Sequence, residues 1–417
     1  MSEHVTMPYL IKNGRVIDPY TRFDKKIDLY LRGGRVEAFY QPGAPSPAEK
    51  HIVVDAEGLV VCPGLVDIHV HLREPGQTHK EDIASGCLAA VLGGVTSLIC
   101  MPNTTPPADS PAVLSHIRAR AEAADLIKVY PAGALTEGLN GKHLTDFTAL
   151  GAAGARALSD DGCPVRDGAL MEQALLQAAQ LNLPVLSHCE PETEQAVRDI
   201  ALSEKTSCPV HICHVSRKET VAAIRAAKTR GVPVTGETCP HYLWFTEEDV
   251  PRIGTNAKMN PPLATEADRE AVIAGLLDGT LDALATDHAP HHPSEKSLPF
   301  AKAPNGVIGL ETLLPAALTA MYHTGQMELL PLLALMTCMP TQVARLPPGR
   351  ISPGQPADLL LFDPEPGRRV EARLFASKSA NTPFEGVTLR GRVVHVFVDG
   401  KQRVKYGRPA HPDPPRL

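Results

Sequence analysis

The sequence has no excess of positive charge: 41 Lys and Arg face 47 Asp and Glu, a formal net charge of −6. That balance gives no sign of a nucleic-acid or membrane-surface binder. Long apolar runs are missing as well. No window approaches the ~18 consecutive apolar residues of a membrane-spanning helix. The opening residues MSEHVTMPYLIKNG lack a basic stretch followed by an apolar one, so no secretory signal is expected. The nine cysteines include no Cys-x-x-Cys pair, which argues against structural zinc. Their odd number, and their place in apolar runs such as LIC 98–100 and HIC 211–213, suit reduced, buried thiols in a cytoplasmic enzyme. Aromatic residues are scarce at 4%. The remaining mixture, 43% hydrophobic and 21% charged, is that of an ordinary globular protein, not a disordered or fibrous one. Two residue types are plentiful: 39 prolines and 17 histidines in 417 residues.

The two ends of the chain read alike. YLIKNGRVID, IDLYLRGGRVEAFY and HIVVDAEGLVV carry short strand patterns, with Asn13-Gly14 and Gly33-Gly34 as hairpin turns. Near the C-terminus come PADLLLFDP, RRVEARLF and VTLRGRVVHVFVDGKQRV, with Asp399-Gly400 as a turn. Residues 1–60 and 350–417 are therefore expected to build one composite β-sandwich. The tail RPAHPDPPRL is expected to be loosely ordered. Over 61–349 the pattern changes. Eight apolar strand-like runs, at 65–71, 95–101, 126–132, 155–159, 184–188, 209–214, 232–238 and 281–287, alternate with helical stretches such as GALMEQALLQAAQLN. Repeated β and α units imply parallel strands with right-handed crossovers. Eight of them imply an α/β chain folded as a TIM (β/α)8 barrel.

Catalytic residues of such barrels lie at the C-terminal ends of the strands. The first run ends in His69-Val70-His71, and residues i and i+2 of a strand share a face, so both imidazoles can meet one ion. Arg73 continues the alternation and could clamp a substrate carboxylate. The fourth run ends in Asp160-Asp161, the fifth in His188 and the eighth in Asp287-His288. The sixth carries His211 and His214, whose i,i+3 spacing puts them on opposite faces, so one alone is expected to point inward. Histidine and carboxylate ligands suit zinc, with manganese or cobalt as substitutes. Six ligands are too many for one open tetrahedral site and suit two ions about 3.5–4 Å apart. Asp287 is the natural carboxylate to move a proton.

Over nearly its whole length the chain resembles the amidohydrolase superfamily, and within it the bacterial dihydroorotases with an aspartate-bridged binuclear site. The resemblance rests on PGLVDIHVHLREPG (63–76), CMPNTTP (100–106), SDDG (159–162), SHCE (187–190), HICHVS (211–216), GETCPHYL (236–243), KMNPPL (258–263), ATDHAPH (285–291), GLET (309–312) and GRISPGQPADLLLFDP (349–364). It implies two divalent metal ions, zinc first. His69 and His71 would bind one, His188 and His214 the other, and Asp161 would bridge them. Asp287 would bind the first ion and shuttle the proton. Arg73, Asn103 and His291 would face the substrate α-carboxylate, and Asn260 the ring. Many relatives bridge their metals with a carboxylated lysine, but ARALSDDG has none, which favours the aspartate version.

The implied reaction is the reversible cyclisation of N-carbamoyl-L-aspartate to L-dihydroorotate in pyrimidine biosynthesis, through a hydroxide shared by the metals. Two departures stand out. His188 and His214 are 26 positions apart, closer than in relatives, and PNGVIG near residue 305 lacks the aromatic that often precedes its glycine. The alternatives are a hydantoinase- or allantoinase-type cyclic amidohydrolase, or an inactive dihydroorotase-like subunit that scaffolds aspartate transcarbamoylase. The expected partners are a small-molecule substrate and a second copy in a homodimer. A complex with aspartate transcarbamoylase is kept open, and neither nucleic acid nor membrane is expected.

Overall fold

The computed structural model describes residues 7–410. Among them, eight parallel strands form the barrel: Leu65–Val70, Val95–Cys100, Lys128–Ala134, Ala157–Ser159, Leu186–Ser187, Val210–Ile212, Val234–Thr238 and Ala283–Leu284. All eight begin within two residues of the runs read from sequence. Parallel bridges Leu158–Val185 and Val70–His288 join two four-stranded halves into a closed ring. Helices follow the strands on the outside, and side-chain caps start several of them. Asp82 accepts from Ser85 N, Asp146 from Ala149 N, and Asp167 from Ala169 N and Leu170 N. The barrel interior is filled by Val66, Ile68, Ile99, Ala132, Ala157, Leu186 and Ala283. Small residues on several strands leave a packed core and no pore.

The first strand contains the feature that aims the site. Val66 and Ile68 face the interior, yet Val70 and Leu72 pack in the outer layer. Strict alternation would have sent Val70 inward and His69 and His71 outward. A register shift prevents this: Asp67 pairs with Leu98 but Val70 with Cys100, one extra residue on the first strand. Such a bulge turns the later side chains to the opposite face.

Both chain ends enter one seven-stranded sheet, in which Val60–Pro63 runs antiparallel to Leu359–Arg369. A four-stranded sheet made of Tyr9–Lys12, Asp28–Arg32, Arg35–Tyr40 and Ile52–Asp55 covers one face to complete the sandwich. The larger sheet is apolar on both sides. Val61, Leu359, Leu361 and Phe397 pack into the sandwich, whereas Val60, Cys62, Leu360, Phe362 and Val396 pack towards the barrel. The unbroken run LLLF thus reads as a strand buried on both faces.

Three expectations at the ends need correction. Asn13-Gly14 is not a hairpin turn, because Tyr9–Lys12 and Arg15–Asp18 belong to different sheets. The chain turns a corner there, with Asn13 N donating to Asp28 Oδ1 at 2.8 Å. RRVEARLF is not a separate strand: Arg368 and Arg369 extend the preceding one, and Ala372–Leu374 is a 3₁₀ turn. In the tail, Arg408–Pro409 pairs with the strand Lys401–Lys405, while residues 411–417 lie outside the described residues. All nine cysteines are free, eight of them buried and Cys163 exposed. No helix among the described residues is long and apolar enough to cross a membrane.

Candidate metal centre

His69, His71, Asp161, His188, His214 and Asp287 converge at the C-terminal mouth of the barrel, and each is at most 5% exposed. Asp161 lies at their centre. Its Oδ1 is 3.2 Å from His69 Nε2, 3.2 Å from His188 Nδ1 and 3.7 Å from His214 Nε2. Its Oδ2 is 3.4 Å from His71 Nε2. Asp287 Oδ1 lies 3.0 Å from His71 Nε2 and 3.7 Å from His69 Nε2. Neighbouring Asp160 turns away, accepting from Thr136 N at 3.0 Å and from the Thr136 hydroxyl. Burial pushes its carboxyl up to about 6. Burial opposes ionisation of Asp161 too, yet His69 and His188 hold it well below the usual carboxylate range.

The backbone is unusual at two of these positions and at nearby Arg73. Arg73 (φ 61°), His214 (φ 37°) and Asp287 (φ 46°) adopt left-handed conformations without being glycine. Such residues cost of order 1–3 kcal/mol each and concentrate at functional sites. At His214 the kink also overturns the expectation that His211 and His214 point to opposite faces. Parity holds only while the strand is extended, and this strand ends at Ile212. Both rings are buried in the barrel, His214 beside Asp161 and His211 beneath it beside Glu237.

The residues proposed for substrate surround this cluster. Asn103 Oδ1 lies 2.8 Å from His71 Nδ1, so the amide oxygen orients a histidine. Asn260 Nδ2 is 3.5 Å from His188 Nε2. Arg73 is 7% exposed; its Nε donates to Pro290 O at 3.2 Å, and Nη2 lies 3.4 Å from His291 Nε2. Burial brings its guanidinium down to about 10, still charged at neutral pH. His291 Nε2 donates to Asn305 O at 2.7 Å. Burial and then Arg73 bring the His291 ring down to about 3, so its single proton is committed to that carbonyl. Gly306 (φ 133°) makes the close approach possible, since a Cβ there would stand 3.0 Å from His291 Nε2 and 2.8 Å from Ala289 Cβ.

Several buried polar residues had no role in the sequence reading. Asp67 accepts from His69 N at 3.2 Å and from Thr286 N at 3.1 Å, tying the first strand to the eighth. Burial pushes its carboxyl up to about 7. Glu237 meets both His69 and His211. Burial opposes its charge, but the His211 and His69 contacts bring it down to about 2. Lys296 donates to the carbonyls of Lys258, Pro304 and Gly306, stitching KMNPPL to the loop beside His291. Asp67 and Glu237 had a readable signal: an acid inside an apolar strand must find a partner. Lys296 sits in polar surroundings in sequence and gave none.

The donor set fits divalent metal. His69 Nε2, Asp161 Oδ1 and His214 Nδ1 are buried without a hydrogen-bond partner among the described residues. The trios His69–Asp161–His214 and His69–His71–Asp287 each bring three ligand atoms within 4.8 Å of one another, as does His69–Cys213–Glu237.

Comparison with known proteins agrees with this geometry. Residues 60–403 match the amidohydrolase family. A dihydroorotase from Pelobacter propionicus is 45% identical over 429 residues, covering 96% of this protein and 100% of that one. Dihydroorotases from Syntrophotalea carbinolica and Aquifex aeolicus are 42% and 40% identical, each over 95% of this chain. Among solved structures, an L-hydantoinase from Arthrobacter aurescens superposes with a TM-score of 0.89 over 97% of this chain and 98% of its own. At 24% identity that likeness concerns the fold alone. The chain belongs to the amidohydrolase family, on the branch occupied by the dihydroorotases.

Proposed function

We propose that the protein is a metal-dependent dihydroorotase that interconverts N-carbamoyl-L-aspartate and L-dihydroorotate in pyrimidine biosynthesis. The observation that carries this reading is four imidazoles gathered on the single carboxylate of Asp161, with Asp287 beside them. His69, His71, Asp161 and Asp287 would hold one divalent ion, and His188, His214 and Asp161 a second, zinc being the first choice. When bound, such ions activate water at neutral pH and polarise a carbonyl. Asp287 then takes the proton of the attacking water and returns it to the departing ring nitrogen. Arg73 receives the α-carboxylate; it stays charged at neutral pH in spite of its burial, and the low exposure strengthens the contact. Asn103 offers Nδ2 to the same group while Oδ1 stays on His71. Asn260 offers its amide to the ring, and His291 lines the carboxylate side.

The hydantoinase alternative is less well supported. The fourth strand and its exit, ARALSDDG, hold no lysine to bridge metals, and the hydantoinase likeness is one of fold. The inactive-scaffold alternative would call for lost ligands, and all six are present. A homodimer is the proposed assembly; exposed Leu176 and Val197, on consecutive helices, offer it an apolar surface. Turnover of carbamoyl-aspartate by metal-replete protein, with metal content measured on the same sample, tests the proposal. Conversion with close to two ions per chain is expected. No conversion, with or without aspartate transcarbamoylase, or conversion of hydantoins instead, would overturn it.

A further inference from the structure

Below the metal cluster, three titratable residues stand in series inside the barrel. Glu237 Oε1 lies 2.8 Å from His69 Nδ1. Glu237 Oε2 lies 3.3 Å from His211 Nε2. His211 Nδ1 lies 2.8 Å from Thr235 Oγ1. His69, Glu237 and His211 are 0%, 1% and 2% exposed. An ionised carboxylate has no proton to give, so the His69 contact is a donation from Nδ1. A neutral imidazole carries one proton. With that proton on Nδ1, the lone pair sits on Nε2, the atom 3.2 Å from Asp161 that lacks a hydrogen-bond partner among the described residues. The other tautomer would set two lone pairs against each other at Nδ1 and a proton against the incoming ion.

We propose that Glu237 is a positioning residue of the metal centre: it holds His69 as the Nδ1–H tautomer and makes Nε2 a stronger donor, while His211 holds its second oxygen. This rests on the two-ion reading above. His71 has a weaker counterpart, because its Nδ1 meets the neutral amide oxygen of Asn103. Carboxylates behind ligating histidines fix ring orientation and raise ligand basicity, and losing one typically costs about 10- to 100-fold in metal affinity. The effect must fall on the ion held by His69 and not on the one held by His188 and His214. That asymmetry separates positioning from general support of the fold.

The test is Co²⁺ titration of the apo protein against a competing chelator, with the apo melting temperature measured alongside. Wild type is expected to take two equivalents. Glu237→Gln, which keeps the shape but loses the charge, is expected to weaken one equivalent about 10- to 100-fold. The second equivalent and the apo melting temperature are expected to stay as in wild type. Affinities for both ions unchanged from wild type in the variant would overturn the inference, as would parallel weakening of both with a lower melting temperature. Three equivalents in wild type and two in the variant would make Glu237 a ligand with His69 and Cys213, and would also overturn it. If wild type takes up no ion, the two-ion reading fails and the inference with it. Should Glu237→Gln not fold, His211→Gln asks the same question from the next residue out. A loss confined to one equivalent supports the inference, and no loss overturns it.

Discussion

Asp287 combines two demands in one side chain. It is a candidate ligand 3.0 Å from His71 Nε2, and it is the carboxylate best placed to move a proton. Its left-handed backbone, φ 46°, aims it into the cluster. Asparagine keeps the size and one oxygen but cannot accept and release the proton. Asp287→Asn is therefore expected to retain the fold and most of the metal while kcat falls by about 10²–10⁴-fold. Steady-state kinetics beside metal analysis check this, and an active variant would remove Asp287 from the proton path. At this scale the histidine pair and Asp287 were legible because they end strand-like runs. Asp160 and Asp161 were not separable by pattern alone, since both precede Gly162 and either could have faced inward. Contact decides between them: Thr136 occupies Asp160 and leaves Asp161 to the histidines.

Strand number and order were legible in the alternating pattern, but two element-level devices were not. A bulge leaves no mark in LVDIHVH, yet without it the first strand would face its histidines outward. The segment that joins Leu359–Arg369 to Thr388–Val398 and reaches over to the barrel is likewise silent in sequence. There Glu311 accepts from Ala376 N at 2.7 Å, and Glu81 accepts from Lys378 N at 3.2 Å and from the Ser377 hydroxyl. Burial pushes the Glu311 carboxyl up to about 7 from an ordinary 4.5. The folded state therefore binds this proton more tightly than the unfolded state. Its contribution to stability is greatest at low pH, declines between about 4.5 and 7, and stays low above that. Partial exposure trims the cost at high pH to about 1–2 kcal/mol. Glu311→Gln keeps the accepting oxygen without the charge. It is expected to raise the melting temperature at pH 8 and to leave it nearly unchanged at pH 5. An equal shift at both pH values would show that ionisation of Glu311 is not the cause.

Sandwich and barrel share a sheet, and this determines how the molecule should melt. Leu359, Leu361 and Phe397 serve the sandwich core, while Leu360, Phe362 and Val396 on the same two strands serve the barrel side. Neither unit can lose its packing without exposing the other's. The candidate metal ligands, in turn, come from the ends of the first, fourth, fifth, sixth and eighth strands, so bound ions cross-link most of the ring. An ion bound to the folded state alone and present at a thousand times its Kd stabilises by about 4 kcal/mol. For a chain of this length that is about 5 °C per ion, given the usual unfolding entropy per residue. Scanning calorimetry before and after chelation is therefore expected to show one transition that moves down as a whole. Phe362→Ala, which empties a fully buried site on the barrel side, is expected to lower that same transition by about 3–5 kcal/mol. The sandwich contains none of the candidate ligands. If chelation split the melt into a metal-sensitive and a metal-insensitive peak, the shared sheet would not couple the two units, and the sandwich would stand as an independent fold.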